Sequence, residues 1–217
     1  MENFNSEIWF NNNLIEILEN SRERFIPTML KQTAKFLYGI VKEEKPKNIL
    51  EIGTAVGYSG IVMKLASKES KLTTIEVDAE RQAEAKENFK KFSLDSGVTF
   101  INDDGYNAII KLKEQNKKYD FIFLDGPKGQ YLKYFEVLKH LMSENCILVA
   151  DDVLFNYQNV REGAVAHKHR AMTNKLREFV ITMLNSEEYS VKLYNIDEGI
   201  MVITKASVWH NKKNLIQ

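Results

Sequence analysis

Residues 48–60 read NILEIGTAVGYSG, a short apolar run followed at once by three glycines, Gly53, Gly57 and Gly60. The apolar part predicts a buried strand, because uninterrupted apolar runs are typical of parallel strands covered on both faces. The glycines let the backbone turn sharply into a helix and approach a ligand closely. Their spacing is not the G-x-G-x-x-G of dinucleotide-binding proteins, and the segment lacks the G-K-[ST] of a phosphate loop. The segment therefore predicts a strand–turn–helix unit and argues against both of those nucleotide-binding classes.

The rest of the chain alternates between helical and strand patterns. These patterns predict helices at 7–20, 28–44, 59–67, 79–93, 105–115, 131–142 and 168–185, and strands at 48–53, 72–77, 98–101, 119–125, 146–151, 190–196 and 200–205. Such alternation predicts an α/β fold, with a mostly parallel seven-stranded sheet and helices on both faces. Only a short turn around 197–199 joins the last two strands, so they should form an antiparallel hairpin at the sheet edge.

The composition describes a soluble globular protein of 217 residues, with 44% apolar and 28% charged side chains. Thirty basic and 30 acidic residues balance, so overall charge gives no argument for nucleic-acid binding, although a local basic patch stays possible. The single cysteine, Cys146, lies in a strand pattern, which rules out a disulfide scaffold and favours a reducing, cytoplasmic location. No apolar run approaches the roughly 20 residues of a membrane span, and the acidic N-terminus does not resemble a signal peptide. We expect one domain over residues 1–217 and no membrane partner.

Acidic residues lie at the ends of the second and third predicted strands. Glu76 ends the second strand, 23 residues after Gly53, where a carboxylate can accept hydrogen bonds from both hydroxyls of a ribose. Asp104 follows the third strand and, with the amide of Gly105, is placed to read an adenine edge. Ligands of open α/β sheets bind outside the carboxyl ends of the strands, where these residues lie. The alternative is that the glycines only make a tight turn and that the acids cap helices.

The fourth and fifth predicted strands end in Asp125 and in the pair Asp151-Asp152. If these strands are neighbours, three carboxylates converge at one rim, where mutual repulsion raises their pKa values. A hard divalent cation relieves that repulsion, and the all-oxygen set suits Mg²⁺, Mn²⁺ or Ca²⁺ rather than zinc. The alternative is that Asp151 or Asp152 caps a helix or lies in a solvated loop.

The motifs E-I-G-T-A-V-G-Y-S-G and T-I-E-V-D resemble those of class I S-adenosylmethionine-dependent methyltransferases. The G-Y-S form is similar to the caffeoyl-CoA and catechol O-methyltransferase group, and the likeness runs from about Ile26 to Lys205. It implies a Rossmann-like catalytic core over residues 45–205, with S-adenosylmethionine as cofactor. The cofactor-binding residues it implies are Glu51 and Gly53 at the methionine part, Tyr58 and Ser59 at the amino-acid end, Glu76 at the ribose and Asp104 at the adenine, together with Gly57, Gly105 and Asp125.

The same resemblance implies a metal site and a catalytic lysine. Metal-dependent members carry Asp and then Asp-Asn at the positions of Asp125, Asp151 and Asp152, so Asp152 departs from the pattern and adds a negative charge. Lys128 matches the catalytic lysine. A lysine beside a dication should have a lowered pKa and act as a general base, whereas an isolated lysine would be a solvated surface residue. The implied catalytic residues are Lys128 and Asp125, and the reaction is an in-line methyl transfer to a hydroxyl.

Three further motifs, D-G-P-K-G-Q-Y, D-D-V-L-F and H-K-H-R, look most like the bacterial tRNA 5-hydroxyuridine O-methyltransferases. That branch forms 5-methoxyuridine at the wobble position, so the resemblance implies a tRNA anticodon loop as partner. The residues it implies at the RNA are Lys128, Gln130, Tyr131, Lys168, His169 and Arg170. Residues 156–177 are strongly basic and hold one acid, Glu162. Such a stretch suits phosphate binding, and equally the solvated start of a helix.

Two other functions stay open. A small-molecule O-methyltransferase of the catechol or caffeoyl type would act on a small hydroxylated aromatic and ignore RNA. A non-catalytic S-adenosylmethionine- or RNA-binding module would not need three acids and a lysine. The N-terminal helices, residues 1–44, carry apolar surface that predicts a cover over the cofactor or a dimer contact, and the resemblance implies a homodimer. The tail, residues 206–217, has no assigned role.

Overall fold

The computed structural model describes Trp9, residues 11–154 and residues 167–209. In chain order the elements are α1 (Asn12–Glu23), α2 (Lys31–Glu44), β1 (Asn48–Ile52), α3 (Tyr58–Ala66), β2 (Lys71–Glu76), α4 (Ala79–Lys91), β3 (Val98–Asn102), α5 (Gly105–Glu114), β4 (Tyr119–Leu124), a 3₁₀ turn (Lys128–Gln130), α6 (Tyr131–Leu138), β5 (Met142–Ala150), α7 (His167–Leu184), β6 (Tyr189–Tyr194), β7 (Ile200–Lys205) and α8 (Ala206–Trp209). No helix in these ranges is both long enough and apolar enough to cross a membrane.

The strands form a seven-stranded sheet in the order β3-β2-β1-β4-β5-β7-β6. Strand β2 pairs in parallel with both β1 and β3, and β4 pairs in parallel with β5. Strand β7 runs antiparallel to both β5 and β6. The predicted α/β class, mostly parallel with an antiparallel hairpin near the C-terminus, is therefore confirmed.

The chain divides into two compact units, Met1–Gly105 and Tyr106–Gln217. In the first unit α2 packs on α3, and α4 packs on β2 and β3. In the second unit α7 packs on the 3₁₀ turn, on α6 and on β6. One domain over residues 1–217 stays a prediction.

Four aromatic side chains hold α6, α7 and β6 together in the second unit. Tyr131 and Phe135 lie on α6, and Phe179 and Tyr189 lie on α7 and β6. The ring of Phe179 contacts those of Tyr131 and Phe135 at centroid distances of 5.6 and 6.2 Å, and Phe135 contacts Tyr189 at 5.1 Å. All four side chains are buried. We call these four residues the aromatic cluster; it fixes Tyr131, the first residue of α6.

The predicted boundaries are wrong by several residues around β5. The sequence predicts a helix to residue 142 and a strand from 146, whereas α6 ends at Leu138 and β5 begins at Met142. Polar residues 143–145 read as a loop. They continue the strand because Met142 pairs with Tyr119 and the ladder resumes after an irregularity. The first helix begins at Asn12, where the side chain of Asn11 caps it; residues 1–8 and 10 lie outside the described part.

Candidate active site

The glycine turn after β1 needs each of its glycines. Gly53 and Gly57 have φ angles of 101° and 89°, a left-handed region that residues with a Cβ enter reluctantly. Gly60 needs space instead, since a Cβ there would lie 2.8 Å from Phe89 Cζ and 2.9 Å from Glu51 Oε2. Helix α3 can therefore lie close against β1 and α4 only with glycine at this position.

Glu51 lies at the centre of a buried hydrogen-bond network. Its side chain is fully buried, one carboxylate oxygen accepts from Ser59 Oγ, and the other accepts from Thr74 Oγ1 at 2.6 Å. The Thr74 hydroxyl is also bonded to the hydroxyl of Thr54. The carboxylate therefore ties β1 to β2 and to the start of α3. The contacts of Glu51 and Ser59 with a cofactor, which the resemblance implies, stay predictions.

Thr74 was not identified from the sequence as part of this site. Its side chain is fully buried in β2 although the residue is polar. A buried hydroxyl needs a hydrogen-bond partner, and here that partner is Glu51. The signal in the sequence is the polar pair Thr73-Thr74 between the apolar residues Leu72 and Ile75 of β2.

Glu76, the acid at the end of β2, accepts a hydrogen bond from the backbone of the glycine turn. Glu76 is 8% exposed, its Oε2 accepts from the Ala55 amide at 2.7 Å and its Oε1 accepts from the Asp78 amide at 3.0 Å. An ionised carboxylate can accept about four hydrogen bonds, so Glu76 has capacity left for ligand hydroxyls. Asp104 is exposed immediately before α5, and its amide donates to the side chain of Asp103.

Tyr58 lines a cavity of about 280 Å³. The cavity is lined by Trp9, Leu14, Ile15, Leu18, Glu19, Arg22, Lys31 and Tyr58. The Tyr58 hydroxyl and Trp9 Nε1 are buried and have no partner among the described residues. Burial raises the pKa of Tyr58 to about 12, and the charge of Arg22 opposes that rise. Helix α1 thus closes over a partly polar space at the start of α3.

In the second unit, three carboxylates converge where β4 and β5 end. One carboxylate oxygen from each of Asp125, Asp151 and Asp152 lies within 4.8 Å of the others. The parallel pairing of Leu124 with Ala150 places the residues that follow side by side. We call these three residues the acid cluster. Among the described residues it is the only group of three or more potential His, Cys, Asp or Glu ligands.

The backbone adapts to hold the two consecutive acids. Asp151 is 2% exposed, and its Oδ1 accepts from the Asp152 amide at 2.8 Å. Asp152 has a φ of 53°, in the left-handed region that Asn and Asp enter more readily than other residues with a Cβ. Asp and Asn both tolerate this backbone conformation. The geometry is therefore consistent with Asp at position 152, where the metal-dependent methyltransferases that the sequence resembles carry Asn.

Lys128 neutralises part of the acid cluster. Its Nζ lies 2.6 Å from Asp125 Oδ1 and 3.0 Å from Asp152 Oδ2. Burial alone would lower the pKa of Lys128, but Tyr131 and the two carboxylates raise it above its ordinary value. The expectation of a lowered pKa applies to a lysine beside a bound dication and stays a prediction; the protein groups alone raise the pKa of Lys128.

Burial and the clustering of the three acids raise the pKa of Asp151. Burial, and then the charges of Asp125 and Asp152, raise the pKa of Asp151 to about 8, while Lys128 lowers it. The single positive charge of Lys128 therefore does not neutralise the negative charge of three carboxylates. An all-oxygen donor set with excess negative charge fits a hard divalent cation.

The residues that the resemblance places at the RNA differ in their exposure to solvent. Gln130 is half-buried and Arg170 is exposed, whereas the side chains of Lys168 and His169 lie outside the described part, as do residues 155–166. Tyr131 is 1% exposed, so the expectation that it faces an anticodon loop is wrong. Its ring belongs to the aromatic cluster and its hydroxyl bonds to protein groups.

A seven-stranded sheet of this order, with a glycine turn after its first strand and an acid at the end of its second, is the architecture of class I S-adenosylmethionine-dependent methyltransferases. This chain has that fold. The family model described as O-methyltransferase matches residues 10–206. The chain therefore belongs to the O-methyltransferase family, of the caffeoyl-CoA and catechol type, and is an S-adenosylmethionine-dependent enzyme.

Individual relatives agree with the family. Tapetum-specific methyltransferase 1 of Arabidopsis thaliana is 30% identical over 168 residues, which cover 76% of this chain and 72% of that protein. A catechol O-methyltransferase of Niastella koreensis is 34% identical over 122 residues, 55% of each chain. A solved structure from Staphylococcus aureus matches with a TM-score of 0.82 at 26% identity, covering 90% of this chain and 93% of that chain.

Proposed function

We propose that the protein is a metal-dependent enzyme that methylates 5-hydroxyuridine at the tRNA wobble position and so forms 5-methoxyuridine. The observation that carries the metal-dependent chemistry is the acid cluster with Lys128 beside it. The tRNA acceptor is supported by the motifs around Lys128 and Arg170 and by the basic stretch at 156–177.

The acid cluster would hold the metal through Asp125, Asp151 and Asp152. A hard divalent cation bound there supplies Lewis acidity, which lowers the pKa of the acceptor hydroxyl. Carboxylates that ligate a cation no longer favour the ammonium form of Lys128, so its amine becomes available as a proton acceptor.

The chain's own residues then carry out proton transfer and positioning. Lys128 Nζ takes the proton from the acceptor hydroxyl, and the oxygen forms a bond to the methyl carbon of the sulfonium donor. The carbon–sulfur bond breaks, its electron pair stays on sulfur, and S-adenosylhomocysteine leaves as a neutral thioether. Much of the rate comes from holding donor and acceptor in line. Glu76 and the glycine turn are proposed to hold the donor.

A small hydroxylated aromatic is the second candidate acceptor. It is favoured by relatives whose names include catechol O-methyltransferase. The same acids and lysine would serve the same chemistry on a free diol, so the two candidates differ in acceptor and not in mechanism.

Methyl transfer from labelled S-adenosylmethionine separates the candidates. The acceptors are tRNA from a strain that lacks the enzyme and a simple catechol, each with Mg²⁺ or Mn²⁺ and with chelator. Metal-dependent label in tRNA that digests to 5-methoxyuridine is the expected result. Label in the catechol alone would replace the RNA acceptor by the small molecule, and label that survives chelation in either acceptor would overturn the metal dependence.

A further inference from the structure

The hydroxyl of Tyr131 lies at the junction of Lys128 and the acid cluster. Lys128 Nζ donates to it at 3.1 Å, and the hydroxyl lies 3.2 Å from the carbonyl oxygen of Leu124 and 3.1 Å from that of Asp151. Leu124 immediately precedes Asp125, and Asp151 is itself in the cluster. One phenol therefore links the lysine to the backbone of both strands that carry the acids.

The direction of these hydrogen bonds follows from counting donors. A phenol has one hydrogen, and two carbonyl oxygens that can only accept compete for it. The hydroxyl therefore donates to the carbonyls and accepts from Lys128, whose amine or ammonium always has a hydrogen to give. Tyr131 thus holds Lys128 through an N–H, and leaves the lone pair of a neutral amine for the acceptor's proton.

The ring gives this hydroxyl a fixed position. Tyr131 is 1% exposed, and its ring meets that of Phe179 edge-to-face at 5.6 Å and 88°. Within the described part of the chain, the ion pairs of Lys128 are to the carboxylates of Asp125 and Asp152. Those two contacts weaken once the carboxylates ligate a cation, whereas the contact to Tyr131 does not depend on the ligands.

We propose that Tyr131 is a positioning residue, whose buried hydroxyl holds Lys128 Nζ in place when the acid cluster binds a cation. The catalytic consequence rests on the proposed function. The placement of the lysine is a property of the protein that can be measured without any reaction.

The test compares Tyr131→Phe with Tyr189→Phe. Both substitutions remove one hydroxyl from a buried residue of the aromatic cluster and keep the ring. The Tyr189 hydroxyl bonds to Glu188 instead of Lys128, so this variant controls for a general effect on packing.

Nuclear magnetic resonance measures the lysine directly. In protein labelled with ¹³C at lysine Cε, the Lys128 signal is assigned by its loss in Lys128→Arg, and spectra are recorded with Mg²⁺ present. A held side chain gives two distinct Hε resonances, which should merge in Tyr131→Phe and stay distinct in Tyr189→Phe. Unchanged Lys128 resonances in Tyr131→Phe would overturn the proposal whether or not the enzyme methylates any acceptor.

Kinetics measure the consequence. Tyr131→Phe should lower kcat about 10- to 100-fold with KM for donor and acceptor changed less than about twofold, because misplaced catalytic groups slow the chemical step. In a Lys128→Met background the same substitution should cause no further loss, since the lysine it positions is gone. Additive losses would overturn the positioning role. Suppose that the resonances merge in Tyr131→Phe while the wild-type protein transfers no methyl group. That result would refute the proposed function and leave the positioning of Lys128 standing.

Discussion

The affinity of the acid cluster for a divalent cation should rise steeply between pH 6 and pH 8. Burial and two neighbouring carboxylates raise the pKa of Asp151 to about 8, so this carboxyl retains its proton at pH 6 and a cation must displace it. With that pKa the ionised fraction is about 1% at pH 6 and about half at pH 8. The apparent Kd should therefore fall by more than an order of magnitude over this range.

Isothermal titration calorimetry with Mn²⁺ checks this prediction. Titrations in two buffers of different ionisation enthalpy count the protons released on binding. We expect about one proton per cation at pH 6 and about half a proton at pH 8. Equal affinity at the two pH values, or binding without proton release, would refute the argument that burial holds a proton on Asp151.

Asp151→Asn is the matched control. The carboxamide keeps an oxygen ligand at the same place but carries no titrating proton. Binding by this variant should be weaker than wild type at pH 8 and nearly independent of pH from 6 to 8. A pH dependence equal to that of wild type would assign the proton to another group.

Three further predictions concern stability and assembly. Gly60→Ala should destabilise the protein by about 1–3 kcal/mol in urea unfolding, because its Cβ would meet Phe89 Cζ at 2.8 Å. Adding Phe89→Leu to Gly60→Ala should recover part of that loss. An unchanged unfolding midpoint in Gly60→Ala would contradict the packing argument. Glu51→Ala should cost about 2–4 kcal/mol, since the hydroxyls of Ser59 and Thr74 lose a buried acceptor; a loss under about 0.5 kcal/mol would show that the network adds little to stability. Light scattering should give a homodimer, and a mass near 25 kDa over a wide concentration range would rule it out.

The sequence predicted the order of the strands along the chain because apolar runs mark buried strands clearly. It was less successful where strand pairing overrides the local pattern, as at residues 143–145, whose polar side chains lie within β5. It predicted Cys146 in a buried strand, and the thiol is buried in β5.

The candidate site was predictable to the level of residue types at strand ends. Parallel strands bring their carboxyl ends to one edge, so the meeting of Asp125 with Asp151 and Asp152 followed from the strand order. The orientation of individual side chains did not follow. Tyr131 is one residue after Gln130 in a motif associated with RNA, yet its side chain turns into the aromatic cluster. Such an outcome depends on packing partners such as Phe179, which lies 48 residues away in the chain.

The central claim is that methyl transfer takes place at the acid cluster and needs a cation there. Its most direct test is the single-turnover rate of methyl transfer by chelator-treated enzyme, before and after addition of Mn²⁺, in wild type and in Asp151→Ala. We expect Mn²⁺ to restore the wild-type rate at least about 100-fold and to leave Asp151→Ala slow, with S-adenosylmethionine binding unchanged in both proteins. A wild-type rate that is unaffected by chelation, matched by an equally fast Asp151→Ala, would contradict the account.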